Sequence, residues 1–496
     1  MNQMSLQQRT SDYLEKENHT SFIDDQYINP GSDREIILYN PSNGNSFAKF
    51  ECANEDQVEE AVQSSKRAFY SPEWKDISPA QRENILHKLA DALESNMQVL
   101  AELIALENGK LIAQAQSEIK GAIATFRYYA GWCTKLDGET LDISLKQKPG
   151  KQNFAFTKRE AIGVVAAIVP WNFPISIASW KLAPALAAGC TVVLKPSEQT
   201  PLSSLFMAEV FQEAGLPTGV LNILIGDGKT GAALTEHPDI AKITFTGSTE
   251  VGKIIGKAAI DNLTGISLEL GGKSPALVFA DANIKEAANG VAMGIYRNSG
   301  QVCVAGSRAY VEASIMDEFI DALQSEADKM KISDAFDHEA GMGPLSSETH
   351  LEKVNSYIIK SQQEGATLLF GGQRVEKEGY YIQPTALGLD NNDNCAATDE
   401  IFGPVLVLVP FNTLDEAINL ANDTRYGLSS TVWTKDIDKA MQCVNRLEAG
   451  WVFVNGPARS DPHFPIGGYK QSGIGKELGK VGIHTYTKIK SVNIIY

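Results

Sequence analysis

The sequence predicts an α/β protein built on parallel sheets and divided into more than one domain. Three observations predict it. The chain has 496 residues, too many for a single hydrophobic core. Between residues 163 and 272, short apolar runs alternate with helix-length segments, the pattern of βαβ units. A second set of such runs follows between 275 and 454. Hydrophobic residues make up 43% and charged residues 21%, the balance of a soluble globular protein.

Taken in order, residues 81–107 read as one long amphipathic helix. Ile85, Leu89, Leu93, Met97, Leu100 and Ile104 recur every three or four residues, and Asn108-Gly109 is the stop signal. Two alternating stretches around Pro149-Gly150 predict a protruding β-hairpin between about 140 and 160. The first parallel sheet is then expected from strands at 163–169, 191–195, 221–226, 242–247 and 266–272. Helices at Ile175–Ala188, about 201–214, about 229–236 and Thr249–Ala259 separate them. Such sheets bind ligands at the carboxyl ends of their strands. In the second set, helices are expected near 284–298 and 315–330, with strands near 275–279, 404–410, 428–433 and 451–454. The final run, KSVNIIY at 490–496, is β-rich and reads as an exposed edge suited to subunit contact.

Composition excludes several function classes. The formal net charge is −17 and no Lys/Arg cluster appears, so no nucleic-acid partner is expected. No apolar run approaches the ~20 residues of a spanning helix, so no membrane partner is expected either. The polar, mixed-charge start MNQMSLQQRTSDYLEKENHT lacks the apolar segment of a secretory signal, and a cytoplasmic location is expected. Six scattered cysteines without a C-x-x-C pair argue against a disulfide framework. Those cysteines and seven histidines without H-E-x-x-H spacing also argue against a metal site.

Several turns carry chemistry. Gly247-Ser248-Thr249-Glu250-Val251-Gly252-Lys253-Ile254 follows a strand and opens a helix, so free backbone N–H groups face outward. Ile254 stands where a P-loop needs a hydroxyl, which excludes a triphosphatase, and a dinucleotide phosphate turn and a plain Ser248 N-cap both remain. Glu198 in KPSEQ could accept from ribose hydroxyls and repel a 2′-phosphate, or simply begin a helix. Cys303 in GQVCVAG is either small core filling or a nucleophile. Glu269 at a strand end could be a general base with a raised pKa, or half of an ion pair. Asn172, between two prolines, could donate to an oxyanion or close an Asx turn.

The motifs PWNFP, KPSEQTP, FTGSTEVG, LELGGK, GQVCVAGSR, EIFGPV and GGYKQSGIGKELG occur in that order and together resemble the aldehyde dehydrogenase superfamily, over roughly residues 20–496. The resemblance implies a Rossmann-like parallel-sheet cofactor domain (20–143 and 162–271), a second α/β catalytic domain (272–475), and a β-hairpin oligomerisation arm (144–161 and 488–496). It implies Cys303 as nucleophile, Glu269 as general base and Asn172 as oxyanion donor, with Lys181 and Glu477 behind the base. It implies contacts to NAD, with NADP less favoured, from Trp171, Lys195, Ser197, Glu198, Gly247, Ser248, Val251, Glu400 and Phe402. Relatives that pass the acyl group to coenzyme A typically lack the base of this glycine motif, so Glu269 points to water as acceptor. A homodimer or homotetramer is implied. Phe173, Trp180, Val302 and Val304 suggest an apolar substrate tunnel, and Ile466 stands where many relatives carry Phe. The expected substrate is a medium-chain aliphatic or aromatic aldehyde. Arg459 leaves a carboxylate-bearing semialdehyde as the alternative, and a thiol esterase or a non-catalytic family member is a more distant one.

Overall fold

The computed structural model describes residues 6–16, 19–29, 31–146 and 149–496. One sheet holds eight strands in the spatial order Gly473–Ile474, Gly265–Glu269, Ile240–Thr246, Val164–Ile168, Thr191–Lys195, Leu221–Ile223, Phe22–Ile23 and Gln26–Tyr27. The five strands from Gly265–Glu269 to Leu221–Ile223 are mutually parallel. Every residue of Val164–Ile168 and Thr191–Lys195 is buried, because helices cover both faces of a parallel sheet. The helix Pro174–Ala188 is buried at every residue except Trp180, so it is apolar all round rather than striped. Chain order reverses in this sheet. From Val164–Ile168 the chain proceeds one way through 191–195 and 221–223, then returns to add 240–246 on the opposite side. The strand ends beside that reversal form the crevice where parallel sheets take ligands.

The second sheet runs Thr367–Phe370, Thr385–Gly388, Val405–Phe411, Arg308–Glu312, Pro275–Val278, Ser429–Trp433 and Trp451–Val454. All its pairs are parallel except the first. Arg308–Glu312 lies at its centre and escaped prediction, because its charged ends break the apolar run. Arg308 is nonetheless fully buried, its guanidinium donating to the carbonyls of Lys273 and Ala421 at 2.9 Å and to the Tyr310 hydroxyl at 2.8 Å. The residues Gly473–Ile474 pair antiparallel with Gly265–Glu269 and so belong to the first sheet, although they fall in the 272–475 segment.

The single helix expected over 81–107 is two, Pro79–Ser95 and Met97–Asn108. Asn96 leaves helical geometry (φ −110°, ψ 15°) and its side chain donates to the Ala92 carbonyl at 2.8 Å, capping the first helix from within the periodic pattern. The stop at Gly109 stands, with φ +78°. A three-stranded sheet joins Thr487–Ile495, Asn153–Ala161 and Thr140–Leu141, all antiparallel. Thr487–Ile495 is therefore paired along one side and open along the other. Gln147 and Lys148 of the expected hairpin lie outside the described residues. Among the described residues no helix is long and apolar enough to cross a membrane.

Candidate active site

The loops leaving Val164–Ile168 and Ile240–Thr246 diverge at the chain reversal, and a cavity of about 240 Å³ opens there. Its walls include Trp171 and Asn172 from the first loop, Gly247 and Ser248 from the second, Cys303, Glu400 and Phe402. The loops meet this closely because glycines leave room. A Cβ on Gly271 would lie 2.3 Å from a Glu400 carboxylate oxygen, and one on Gly272 would lie 2.5 Å from the Cys303 carbonyl. Glu400 accepts from the Gly272 N–H at 2.8 Å, and its burial raises its pKa.

Cys303 follows a backbone segment in which Asn298, Ser299 and Gly300 are all left-handed (φ 50°, 55° and 74°). Left-handed residues in succession are strained and need support. Ser299 Oγ donates to the Gly343 carbonyl at 2.7 Å, and Asn298 Nδ2 to the Asn172 and Gln301 carbonyls at 3.3 Å. The thiol is half-buried, and its pKa is pushed up to about 12 by burial and by the charges of Glu400 and Glu269.

Asn172 Nδ2 donates to the Gln301 carbonyl at 2.9 Å, which holds the amide beside the cysteine loop. Its main chain is held from behind by a buried ion pair that sequence reading missed. Lys110 and Glu118 contact each other at 1% and 0% side-chain exposure. Lys110 Nζ donates to the Asn172 carbonyl at 2.6 Å and sits 3.9 Å from the Phe173 ring centre. Glu118 accepts from the Ile175 and Ser176 N–H groups at 3.0 Å, capping the helix that follows.

Glu269 ends its strand opposite Thr246 and is buried, with neither carboxylate oxygen hydrogen-bonded among the described residues. Burial and the Glu477 charge raise its pKa well above the usual carboxylate range. Lys181 is fully buried, contacts Glu477, and donates to Thr246 Oγ1 at 2.7 Å and Thr244 Oγ1 at 3.3 Å. Lys181 and Glu477, expected behind Glu269, contact each other, and both charges act on the Glu269 carboxyl.

Other predicted cofactor residues lie outside the cavity, along the edge of the same sheet. Lys195 is buried, its ammonium on the Pro196 carbonyl at 3.2 Å. Ser197 is buried, while Glu198 is exposed. Ser248 accepts from the Val251 N–H at 3.2 Å as a true N-cap, and Val251 is exposed on the helix Thr249–Asp261. The N-cap reading of that turn is thus met, and Gly247 and Ser248 also stand in the cavity wall.

Of the predicted tunnel residues, Phe173, Val302, Val304 and Arg459 line a second cavity of about 80 Å³, together with Met293 and Arg297. Trp180 and Ile466 are not among its walls. Trp180 is half-buried against the main core. Ile466 is 2% exposed and exchanges backbone hydrogen bonds with Glu477, so its role is packing.

His350 and Lys353 also line the larger cavity and were not singled out from sequence. His350 Nε2–H donates to the Phe402 carbonyl at 2.7 Å, holding Phe402 at φ +64°. Burial lowers the His350 pKa to about 4, so the ring is neutral. Phe402 meets Trp171 edge-on at 5.5 Å. The only sequence signal was the three-residue spacing of His350 and Lys353 on the helix Glu348–Gln363. Among the described residues no cluster of His, Cys, Asp or Glu is arranged to hold a metal.

Comparison with known proteins gives one consistent picture. The sequence profile of the aldehyde dehydrogenase family matches residues 27–492. A phenylacetaldehyde dehydrogenase of Pseudomonas fluorescens is 44% identical over 482 residues, 96% of each chain. The solved NAD+ complex of an aldehyde dehydrogenase from Bacillus cereus superposes with a TM-score of 0.95 at 41% identity, over 99% of each chain. A betaine aldehyde dehydrogenase from Staphylococcus aureus, also solved with NAD+, gives 0.93 at 36% identity, over 97% of this chain and 95% of that one.

Proposed function

The chain belongs to the aldehyde dehydrogenase family, and from that premise we propose that it oxidises an aldehyde to the carboxylic acid with NAD through a thioester on Cys303. The observation that supports this most is convergence. Asn172, Cys303 and Glu400 reach one cavity with the Gly247-Ser248 turn at the chain reversal of a parallel sheet. The site's residues fit the cofactor: an open phosphate-facing turn, a carboxylate at Glu400, and the Trp171–Phe402 aromatic corner. When bound, the nicotinamide would supply the hydride acceptor and a positive charge.

The protein's own groups do the rest. The Cys303 thiol gives up its proton to water, the sulfur adds to the aldehyde carbon, and the carbonyl oxygen becomes an oxyanion. Asn172 Nδ2–H, with the Cys303 backbone N–H, stabilises that charge. Loss of hydride restores the C=O bond as a thioester. Glu269, whose carboxylate oxygens have no competing partner, takes a proton from the water that attacks the thioester carbon. The C–S bond breaks, the acid leaves and the thiol is regained. Lys181 and Glu477 carry the proton away from Glu269. Glu198 at the end of Thr191–Lys195 favours NAD over NADP by repelling a 2′-phosphate.

We divide the chain at 271/272 into cofactor and catalytic domains, and read the 144–161 and 488–496 segments as the arm of a homodimer or homotetramer, supported by the open edge of Thr487–Ile495. Six free thiols, five of them buried, suit a reducing compartment such as the cytoplasm. The phenylacetaldehyde relative supports an aromatic or medium-chain substrate, while two arginines in the smaller cavity favour one with an anionic end.

The test is an aldehyde panel with NAD and NADP in parallel, followed at the NADH absorbance band. NADH formation that Asn172→Ala lowers by about 100–1,000-fold supports the reading. Thioester hydrolysis without NADH would replace it with an esterase.

A further inference from the structure

The smaller cavity carries charge that the catalytic residues do not use. Arg297 opens the left-handed segment that leads to Cys303, and Arg459 comes from the loop after Trp451–Val454. Both line the 80 Å³ space, opposite the apolar walls of Phe173, Met293, Val302 and Val304. Val302 and Val304 are the chain neighbours of Cys303, so this space reaches both sides of the cysteine loop, while Cys303 itself lines the larger cavity with the Gly247-Ser248 turn.

Neither guanidinium has an ion pair or side-chain hydrogen bond among the described residues. This matters for Arg297 in particular. Its side chain is half-buried, and desolvation followed by the nearby Arg459 charge lowers its pKa. The acidic group that acts on it, Glu118, is already occupied by Lys110 and two backbone N–H groups. A solvated loop cation would account for exposed Arg459 alone. It does not account for a second, half-buried guanidinium facing the first with no counter-ion, an arrangement that is unfavourable until an anion arrives. The planar fork of arginine matches a carboxylate with two parallel hydrogen bonds.

We propose that Arg297 and Arg459 form a carboxylate receptor, and that the preferred substrate is a short aldehyde carrying a carboxylate at its far end. This rests on the dehydrogenase reading above. The aldehyde carbon lies at Cys303, the apolar walls take the tether, and the two arginines take the distal charge. The cavity has a third of the volume of its neighbour, which limits the tether to a few carbons. The receptor also orients the substrate, since only one end can meet the arginines while the other meets the sulfur.

The experiment compares succinic semialdehyde with its methyl ester and with phenylacetaldehyde, reading kcat/KM for wild type, Arg297→Gln, Arg297→Lys and Arg459→Gln. Wild type is expected to favour the free acid over the ester by about 10–100-fold, the range for hydrogen bonds to a charged group. Arg297→Gln should erase most of that ratio, Arg297→Lys should keep part of it, and Arg459→Gln should reduce it less because Arg459 is exposed. In parallel, succinate binding is measured by calorimetry without turnover, and Arg297→Gln should weaken it at least tenfold. A wild type that prefers the ester or phenylacetaldehyde, or succinate binding unchanged in both Gln variants, overturns the receptor while leaving the dehydrogenase intact. NADH formation from none of the three aldehydes counts against the dehydrogenase, and the calorimetry then decides the receptor by itself.

Discussion

The two cavities that share the Cys303 loop are built in different ways. The larger is shaped by main chain. Gly271 and Gly272 admit Glu400 and the cysteine carbonyl, Phe402 is held in a left-handed turn, and the Ser248 turn opens a helix. The smaller has three glycines in its wall as well, but its shape also rests on side chains, among them three valines, a methionine, a phenylalanine and two arginines, that could change without moving the backbone. On the proposed function, the larger cavity is the cofactor side and must present the same N–H groups and carboxylates to one unchanging molecule. The substrate side can be rewritten while that frame stays fixed.

The comparison can be broken by substitutions on either side. The largest effect is expected from the cysteine between them: Cys303→Ser should lower turnover by more than about 1,000-fold on every aldehyde, measured as steady-state NADH formation, since a hydroxyl is a far weaker nucleophile than a thiolate. Glu269→Gln should lower steady turnover by about 100–10,000-fold yet leave a first-turnover burst of NADH in stopped flow. A normal steady rate would remove Glu269 as the base. Gly272→Ala should cost about 100-fold in turnover, because its methyl group displaces the nucleophile's loop. Val302→Ala, a larger loss of atoms on the substrate side, should change kcat/KM by only about tenfold. If Val302→Ala proves the more damaging of the two, the contrast between backbone-built and side-chain-built cavities fails.

The smallest effect concerns stability. Burial and Glu477 raise the folded-state pKa of Glu269. Its contribution is therefore fully present below its unfolded value, near 4.3, and is lost as pH rises toward the raised folded value. Glutamine has no proton to lose, so the Tm of Glu269→Gln should gain on wild type between pH 4 and pH 8. An equal gap at both ends would show that the carboxyl is not held neutral.

How much was legible follows the same division. The alternating apolar runs place the five parallel strands of the first sheet within a few residues, because a strand buried on both faces has no choice but an apolar run, whereas the two-residue strands Phe22–Ile23, Gln26–Tyr27 and Gly473–Ile474 are too short to leave a pattern. Residues 81–107 show the limit: the periodicity passes through Asn96 unbroken, and only its side-chain bond to Ala92 ends the helix. Arg308–Glu312 shows another, since a central strand can begin with a buried arginine when carbonyls from two other segments satisfy it. In the site, Cys303, Asn172 and Glu269 were visible as odd residues in stiff or glycine-rich turns. Arg297, His350 and the Lys110–Glu118 pair were not, because their meaning depends on partners far away in sequence. Ile466, expected at the tunnel from its position before Gly467-Gly468, is buried in the core against which Phe173, Trp180 and Cys303 also pack, and it exchanges backbone bonds with Glu477.

Glu269 lies on a strand whose outer neighbour is Gly473–Ile474, and Glu477 follows that neighbour directly. During translation, some two hundred residues must leave the ribosome after Glu269 before either arrives. Until then the Gly265–Glu269 strand lacks its outer neighbour, and the Glu477 charge that helps raise the Glu269 pKa is missing. A chain that ends short of residue 473 would carry Glu269 and Cys303 yet lack both the outermost strand of the first sheet and the Glu477 that acts on Glu269.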